Sequence, residues 1–413
     1  MGGKASLVLV LAFGLLFGVV GSNMLKTSNE ATDTFVDYFK KTKAHNIATS
    51  AANMAANKIF TDKNWIAGFD DLPIAGGLAY ASVETYDIYN KKITARSNFN
   101  GYKDTVQVWL EPKNFAQFGN FYDEMGSVWW ATGDTCSGPF HTNDFLNALG
   151  NPVFLGYTTT LKGVKLYDAS SYAEIHGGYD QGIHIPLTFD ATIIEDAAIA
   201  GGKVFEKLGG GYINVKIQFN SDATVTFWQR DGSIGPWGDS TVVDLNIIAP
   251  NGVLYVKQGD VFISGVLDGR ITVMANKSGG AGGIINITDD LIYKKNPLVE
   301  PSANMLGLVA QDYVMVPFDD TRGDIDIHAS IYAQNAGLVI EERADYSTAY
   351  KMNLLGGVIG KKVEPTATYK KVGGIWVPDK GYSYVHKFDE RFNKVVPPFF
   401  PLTDKYRVVS WLE

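Results

Sequence analysis

Apolar and polar positions alternate in two different rhythms along this chain, and the first rhythm is helical. Ala5–Leu25 is a run of 21 residues without a charge, and 11 of the 17 residues from Ala5 to Gly21 are Leu, Val or Phe. At a helix centre such residues together favour membrane insertion by roughly 5 kcal/mol. The run is just long enough to cross a hydrocarbon core as a helix. From Asn23 to Phe60 the pattern becomes amphipathic. Ala31, Phe35, Tyr38/Phe39, Ala48, Ala51/Ala52, Ala55 and Ile59 recur at steps of three and four with one gap, opposite Asp33, Asp37, Lys40, Lys41 and Lys43. Apart from Gly21, no residue between 19 and 67 is Gly or Pro. One helix of about 50 residues, roughly 75 Å long, is therefore predicted.

The second rhythm is that of strands. Thr61–Gly77 reads as a turn-rich connector. Ala79–Tyr89 and Asp104–Leu110 read as strands with a turn at Asn98–Tyr102, and Phe115–Met125 has helical spacing. Ser127–Ala131 is apolar enough to be buried. Asp190–Ala200 reads as a helix ended by Gly201-Gly202, and Tyr212–Phe219 with Ala223–Gln229 as a hairpin about Asn220-Ser221-Asp222. From Val242 to Lys361 short apolar runs such as DVFISG, NITDDLIY and AQDYVMV end at Gly, Asn or Asp, with no long helical segment between them.

These patterns predict a mainly β protein with a long N-terminal α-helix. For the head, a right-handed parallel β-helix (a solenoid) is favoured, with an antiparallel β-sandwich as the alternative that shares this composition. The expected organisation is a helix over residues 1–60, a mixed connector region over 61–132, a β-rich head over 133–361, and a C-terminal cap with an extended tail over 362–413.

Composition narrows the function. The net charge of −8 argues against nucleic acid as a partner, since phosphate recognition needs concentrated Lys and Arg. Cys136 is the only cysteine, so no intrachain disulfide can form. Lys4 before the apolar run places the remainder of the chain outside the cytoplasm. Either the run is a retained anchor or it is a signal peptide cleaved near Val20-Gly21-Ser22. Gly14 and Gly18 form a G-x-x-x-G step with Gly21 one turn later, a spacing that lets apolar helices approach closely.

Candidate chemistry is sparse. The six histidines, His45, His141, His176, His184, His328 and His386, show no zinc spacing, and only His176 and His184 stand close enough to converge across a turn. Asp319, Asp320, Asp324 and Asp326 surround a loop whose oxygens could hold Ca²⁺, though EF-hand spacing is absent. Arg322-Gly323-Asp324 spells an adhesion tripeptide. Asp289-Asp290 sits at an expected coil corner, and Asp289, Asp324 and Asp326, with Trp109, Trp129, Trp130, Trp228 and Trp237 along a groove, are what a carbohydrate-active β-helix enzyme would draw on. No catalytic, cofactor-binding or metal-binding set emerges, and a non-enzymatic role is expected.

Residues 4–60, KASLVLVLAFGLLFGVVGSNMLKTSNEATDTFVDYFKKTKAHNIATSAANMAANKIF, resemble the start of type IV pilin-like proteins, notably the large minor pilins. The GPFHTNDFLNALGNPVFLGYTT segment and the NITDDLIY, NMLGLVAQDYVMV and IDIHASIYAQNAG stretches resemble the β-rich head such helices carry in some bacteria. Gly3 would be the processing site that ends a very short leader. Lys4 then stands where pilins have Phe or Met, and Val8 where most major pilins have Glu. The resemblance implies a structural subunit of the cell envelope. It would be membrane-bound before assembly and would pair with copies of itself through Gly14, Gly18 and Gly21. Its head would make subunit contacts or adhere to surface polysaccharide or other cells. A surface adhesin that never polymerises fits the same residues.

Overall fold

A long N-terminal helix leads into a large β-rich body in the computed structural model, which describes residues 2–86 and 90–413. The chain divides into two compact units. One is the chain through Pro112 together with Lys405–Glu413, and the other is Lys113–Asp404.

In the first unit the helix runs without a break over Gly2–Thr61. Strands β1 (Phe69–Ile74), β2 (Gly77–Thr85), β3 (Lys91–Phe99) and β4 (Tyr102–Asn114) follow as an antiparallel meander. The strand Leu402–Leu412 adds beside β4. The strand expected over 79–89 is β2, which ends at Thr85; residues 87–89 lie outside the described residues. The turn expected at Asn98–Tyr102 is the two-residue loop Asn100-Gly101. Both residues have positive φ, +50° and +87°, as a tight hairpin matched to strand twist requires.

The helix meets this sheet only with its C-terminal part. Ala44, Ile47, Ala48, Ala51, Ala52, Ala55, Ala56 and Ile59 are buried, at alternating steps of three and one, against Ala79, Ala81, Ile93, Ala95, Val106, Val108 and Leu110. The expected stripe began earlier, but Ala31, Phe35, Tyr38 and Phe39 are exposed, because the buried face starts at Ala44. Two strands escaped the sequence pattern. β1 lies inside the supposed connector, and β3 hides its inward positions behind the letters Lys91 and Ser97, both buried beside Ile93 and Ala95.

The second unit is built mostly from parallel pairings. Leu254, Val273, Leu308, Ile331 and Val358 stand side by side on successive strands, and Asn120, Phe140 and Thr158 continue the row. One residue along, Tyr255, Met274, Val309, Tyr332, Ile359 and Phe121 form a second row. The strand period of two sends the rows to opposite faces. The first row's apolar members fall in the main core of Val, Ile and Leu. The second packs against Ile194, Ala197 and Ala198 of the helix Ala191–Gly201 and against Phe115, Phe388, Phe392 and Phe400. That helix is the one expected over Asp190–Ala200. The Asp190 side chain caps it by accepting from the Thr192 amide, and Gly202 follows its last residue.

Antiparallel pairs complete the unit, so its sheets are mixed. The expected hairpin is Ile213–Phe219 with Thr224–Asp231. Strands such as Ile285–Tyr293 pair with different neighbours along their length, so the network branches rather than closing into a single barrel.

Two further expectations are corrected. Phe115–Met125 is a single 3₁₀ turn, Phe115–Gln117, followed by the strand Asn120–Glu124. Gly119 stands where the backbone is closely approached: a Cβ there would stand 2.5 Å from the Ser137 carbonyl oxygen, just past the strand Thr135–Cys136. The stretch after residue 361 is no loose cap and tail. Ala367–Val372 and Ile375–Lys387 form a hairpin, and Ile375–Lys387 also pairs in parallel with Ala349–Lys362. The chain then ends as the Leu402–Leu412 strand of the first unit's sheet.

Candidate assembly surface

An α-helix places residues three and four apart on one face, so an all-apolar segment has no polar side to turn toward water. The stretch Leu7–Gly21 in the N-terminal part of the helix is such a segment. Its described residues through Val20 are all exposed, with Leu7 at 64%, Leu15 at 70% and Phe17 at 69%. The helix is long and apolar enough to cross a membrane, and its most apolar stretch is not buried by any part of the protein. A continuous apolar surface of this extent on a water-soluble particle marks an interaction site.

Gly14, Gly18 and Gly21 share one face of this segment. A Cβ at any of the three would meet no atom within 4 Å. Nothing inside the protein therefore calls for glycine there, although glycine in a helix interior costs about 1 kcal/mol relative to alanine. Gly14 and Gly18 form the floor of a shallow groove walled by Val10, Leu11, Leu15 and Val19. Gly3 stands in the first turn of the helix.

Below the apolar segment, polar contacts anchor the helix within its own unit. The Tyr102 hydroxyl donates to Asp37 Oδ1 at 2.5 Å, and the Lys40 ammonium lies 5.4 Å from the centre of the same ring. His45 Nδ1 is 2.8 Å from Asp104 Oδ2, and its Nε2 lies 3.6 Å from Glu413 Oε2. Phe39 packs edge-on to Phe99, with ring centres 6.4 Å apart. These contacts fix the direction in which the exposed segment leaves the sheet.

The remaining candidates are occupied elsewhere. Asp319 accepts from Thr321, Asp320 from Ser347, Asp324 from the Lys351 amide, and Asp326 from the Asn353 side chain. Asp290 accepts from the Asp326 amide, while Asp289 accepts from the amide of Asp290. Among the described residues, no three His, Cys, Asp or Glu side chains gather where they could hold a metal ion. The Arg322 side chain is only 7% exposed and bonds the Pro317 carbonyl, so the Arg-Gly-Asp tripeptide is not displayed.

Cys136 is buried, accepts from the Asn120 amide at 2.9 Å, and has its thiol pushed up to about 12 by burial, which leaves it inert as a nucleophile. His176 Nε2 faces Glu174 Oε2 at 3.7 Å. The five tryptophans are divided between the two units. Trp109 lies under Lys92 in the first unit, Trp228 under Lys216, and Trp237 under Arg230, so each ring is covered by a cation of its own chain. Trp129 and Trp130 share a cleft with Asp134, Tyr369 and Tyr384, which the sequence did not single out.

No known protein family and no curated protein matches the chain. Among solved structures it is similar to the competence-associated pilin ComZ from Thermus thermophilus, at 11% identity and a TM-score of 0.37, over 90% of this chain and 97% of that one. A likeness at that level adds no weight to what the helix itself shows.

Proposed function

We propose that this chain is a non-catalytic structural subunit of a type IV pilus-like extracellular filament, of the minor-pilin kind. The carrying observation is the contrast within one unbroken helix. Its C-terminal part is buried on its own sheet, while Ala5–Val20 is uncharged, exposed and furrowed at Gly14 and Gly18, where an added Cβ would meet no described atom within 4 Å.

Such a surface needs a cover. Before assembly the bilayer supplies it, with the β-rich units outside the cytoplasm. In a filament, copies of the same helix take the place of lipid. Each Leu, Val or Phe buried contributes roughly 1.5–3 kcal/mol, and Gly14 and Gly18 let two helix backbones approach until dispersion contacts form along the groove. The anchoring contacts at Asp37, Lys40 and His45 hold that helix in a fixed direction, as regular packing of many copies requires.

In this reading the larger unit is a parallel β-helix, in which the two rows through Ile331 and Tyr332 are stacked coils. It forms a stiff outer body for subunit contacts or for adhesion to polysaccharide or other cells. The carbohydrate-active alternative has less support, since Asp324 and Asp326 are engaged by the backbone and side chains of neighbouring strands.

The test is substitution at the groove. Gly14→Leu and Gly18→Leu are expected to abolish or sharply reduce sheared-filament yield while leaving the thermal unfolding of the β-rich body unchanged. Normal filament yield from both variants would overturn the packing claim.

A further inference from the structure

The larger unit contains a cleft of about 80 Å³ with an unusual lining. Trp129, Trp130, Tyr369 and Tyr384 supply aromatic surface, Asp134 and Glu364 supply carboxylates, and no Lys, Arg or His reaches it. Its size suits a compact headgroup rather than a run of sugar rings.

The polar groups around this cleft are disposed in a particular way. The hydroxyls of Tyr384 and of Tyr122, which also lines the cleft, both donate to Asn120 Oδ1 at 3.2 Å, so their hydrogen-bonding ends are already committed. Trp130 Nε1–H is buried without a hydrogen-bond partner. Asp134 Oδ2 accepts from the Ala131 amide at 2.6 Å, while Oδ1 accepts from none of the described residues. Burial pushes the Asp134 carboxyl up to about 6, and burial, with a smaller contribution from the Asp134 charge, raises the Tyr369 phenol in the same cleft. The carboxylate is therefore held in a poorly solvated position with one oxygen free and no counter-charge. An aromatic lining offers the negative faces of its rings to a cation, and a weakly hydrated organic cation loses little on leaving water. Trp129 already accepts the Lys165 ammonium, 5.5 Å from its ring centre, and one face of Tyr384 stacks on His386, so an incoming group meets Tyr369 and the remaining faces of Trp130 and Tyr384.

We propose that this cleft binds a small organic cation of the quaternary-ammonium type, with its charge against Asp134 and Glu364 and its methyl groups among Trp130, Tyr369 and Tyr384. The rings face the methyl groups and the two carboxylates face the charge, as that chemistry requires. The site is independent of filament assembly and stands or falls separately from it.

The experiment uses the full chain in polyoxyethylene-ether micelles, which carry neither ammonium nor sugar. Tetramethylammonium chloride is titrated with calorimetric and tryptophan-fluorescence readouts, against potassium chloride and methyl glucoside. Saturable binding of tetramethylammonium alone is expected. Asp134→Asn combined with Glu364→Gln should weaken it at least about tenfold. Tyr369→Leu, at a partly exposed position, should also weaken it with the thermal transition retained, so the test survives if the double variant fails to fold. The proposal is overturned by absence of saturable binding, by an equal response to potassium, by preference for methyl glucoside, or by undiminished affinity in the folded variants.

Discussion

A Cβ placed on Gly77 would stand 2.7 Å from Cδ1 of Ile47 and 2.8 Å from the Asn98 carbonyl oxygen. The helix and the edge of the first unit's sheet therefore touch at van der Waals limit, and the alanines at 48, 51, 52, 55 and 56 extend that close approach. Gly77→Ala is expected to lower stability by about 1–3 kcal/mol, because the obstructing carbonyl belongs to the backbone and cannot rotate away. Adding Ile47→Val should recover part of the loss. Amide exchange along residues 44–59 reads the effect, and an unchanged exchange profile in Gly77→Ala would contradict this packing.

Acid should destabilise the larger unit through two buried histidines. The Ser137 amide and the Asn120 side chain donate to His386 Nδ1, and Nε2–H donates to the Gly356 carbonyl, which defines a neutral ring. His141 is likewise neutral, accepting from Thr159 and donating to Asn143. Burial lowers both from 6.5 to about 4. A lowered folded-state value means the unfolded chain takes up protons first, so the stability is complete above pH 6.5 and is lost as pH falls through 4. Each ring accounts for at most about 3 kcal/mol. Denaturant midpoints at pH 7.5 and 4.5 should differ in the native protein and differ less in His386→Gln.

Asp134 works in the opposite direction. Its folded value of about 6 lies above the ordinary 3.8, so the folded state loses stability as pH rises from 3.8 through 6. Asp134→Asn keeps an acceptor for the Ala131 amide and removes the buried charge. A gain of up to about 3 kcal/mol at pH 7, vanishing near pH 4, is expected from paired unfolding curves. A loss at pH 7 would contradict the assignment of an uncompensated carboxylate.

Asn120 is the centre of a buried polar network. Its oxygen accepts from Tyr122 and Tyr384, and its amide serves Cys136 and His386. Asn120→Ala strands several of these groups without water, at about 1–3 kcal/mol for each one left unsatisfied. A fall in thermal midpoint well beyond that of a surface control such as Val242→Ala is expected.

The helix was legible because uncharged length and the absence of Gly and Pro are properties of contiguous sequence. Where its buried face begins was not, since Phe35 and Ala31 satisfy the same spacing as Ala48 and only the sheet's extent separates them. β3 was hidden because Lys91 and Ser97 occupy inward positions. The strand style of Val242–Lys361 could be read, but not its register: Leu254, Val273, Leu308 and Ile331 are aligned neighbours at unequal sequence intervals. The aromatic cleft joins residues near 130 to residues beyond 360, a juxtaposition no local pattern contains. Gly14 and Gly18 were legible as a motif, and the structure adds that nothing within the chain occupies the space beside them.

The filament reading is tested most directly by intact mass and N-terminal sequencing of the protein sheared from the surface of cells that express it. Fibres whose subunit begins at or near Lys4, with the apolar helix retained, are the expected result. A subunit that begins near Asn23 would mean the apolar segment is only a signal peptide, and would contradict the account.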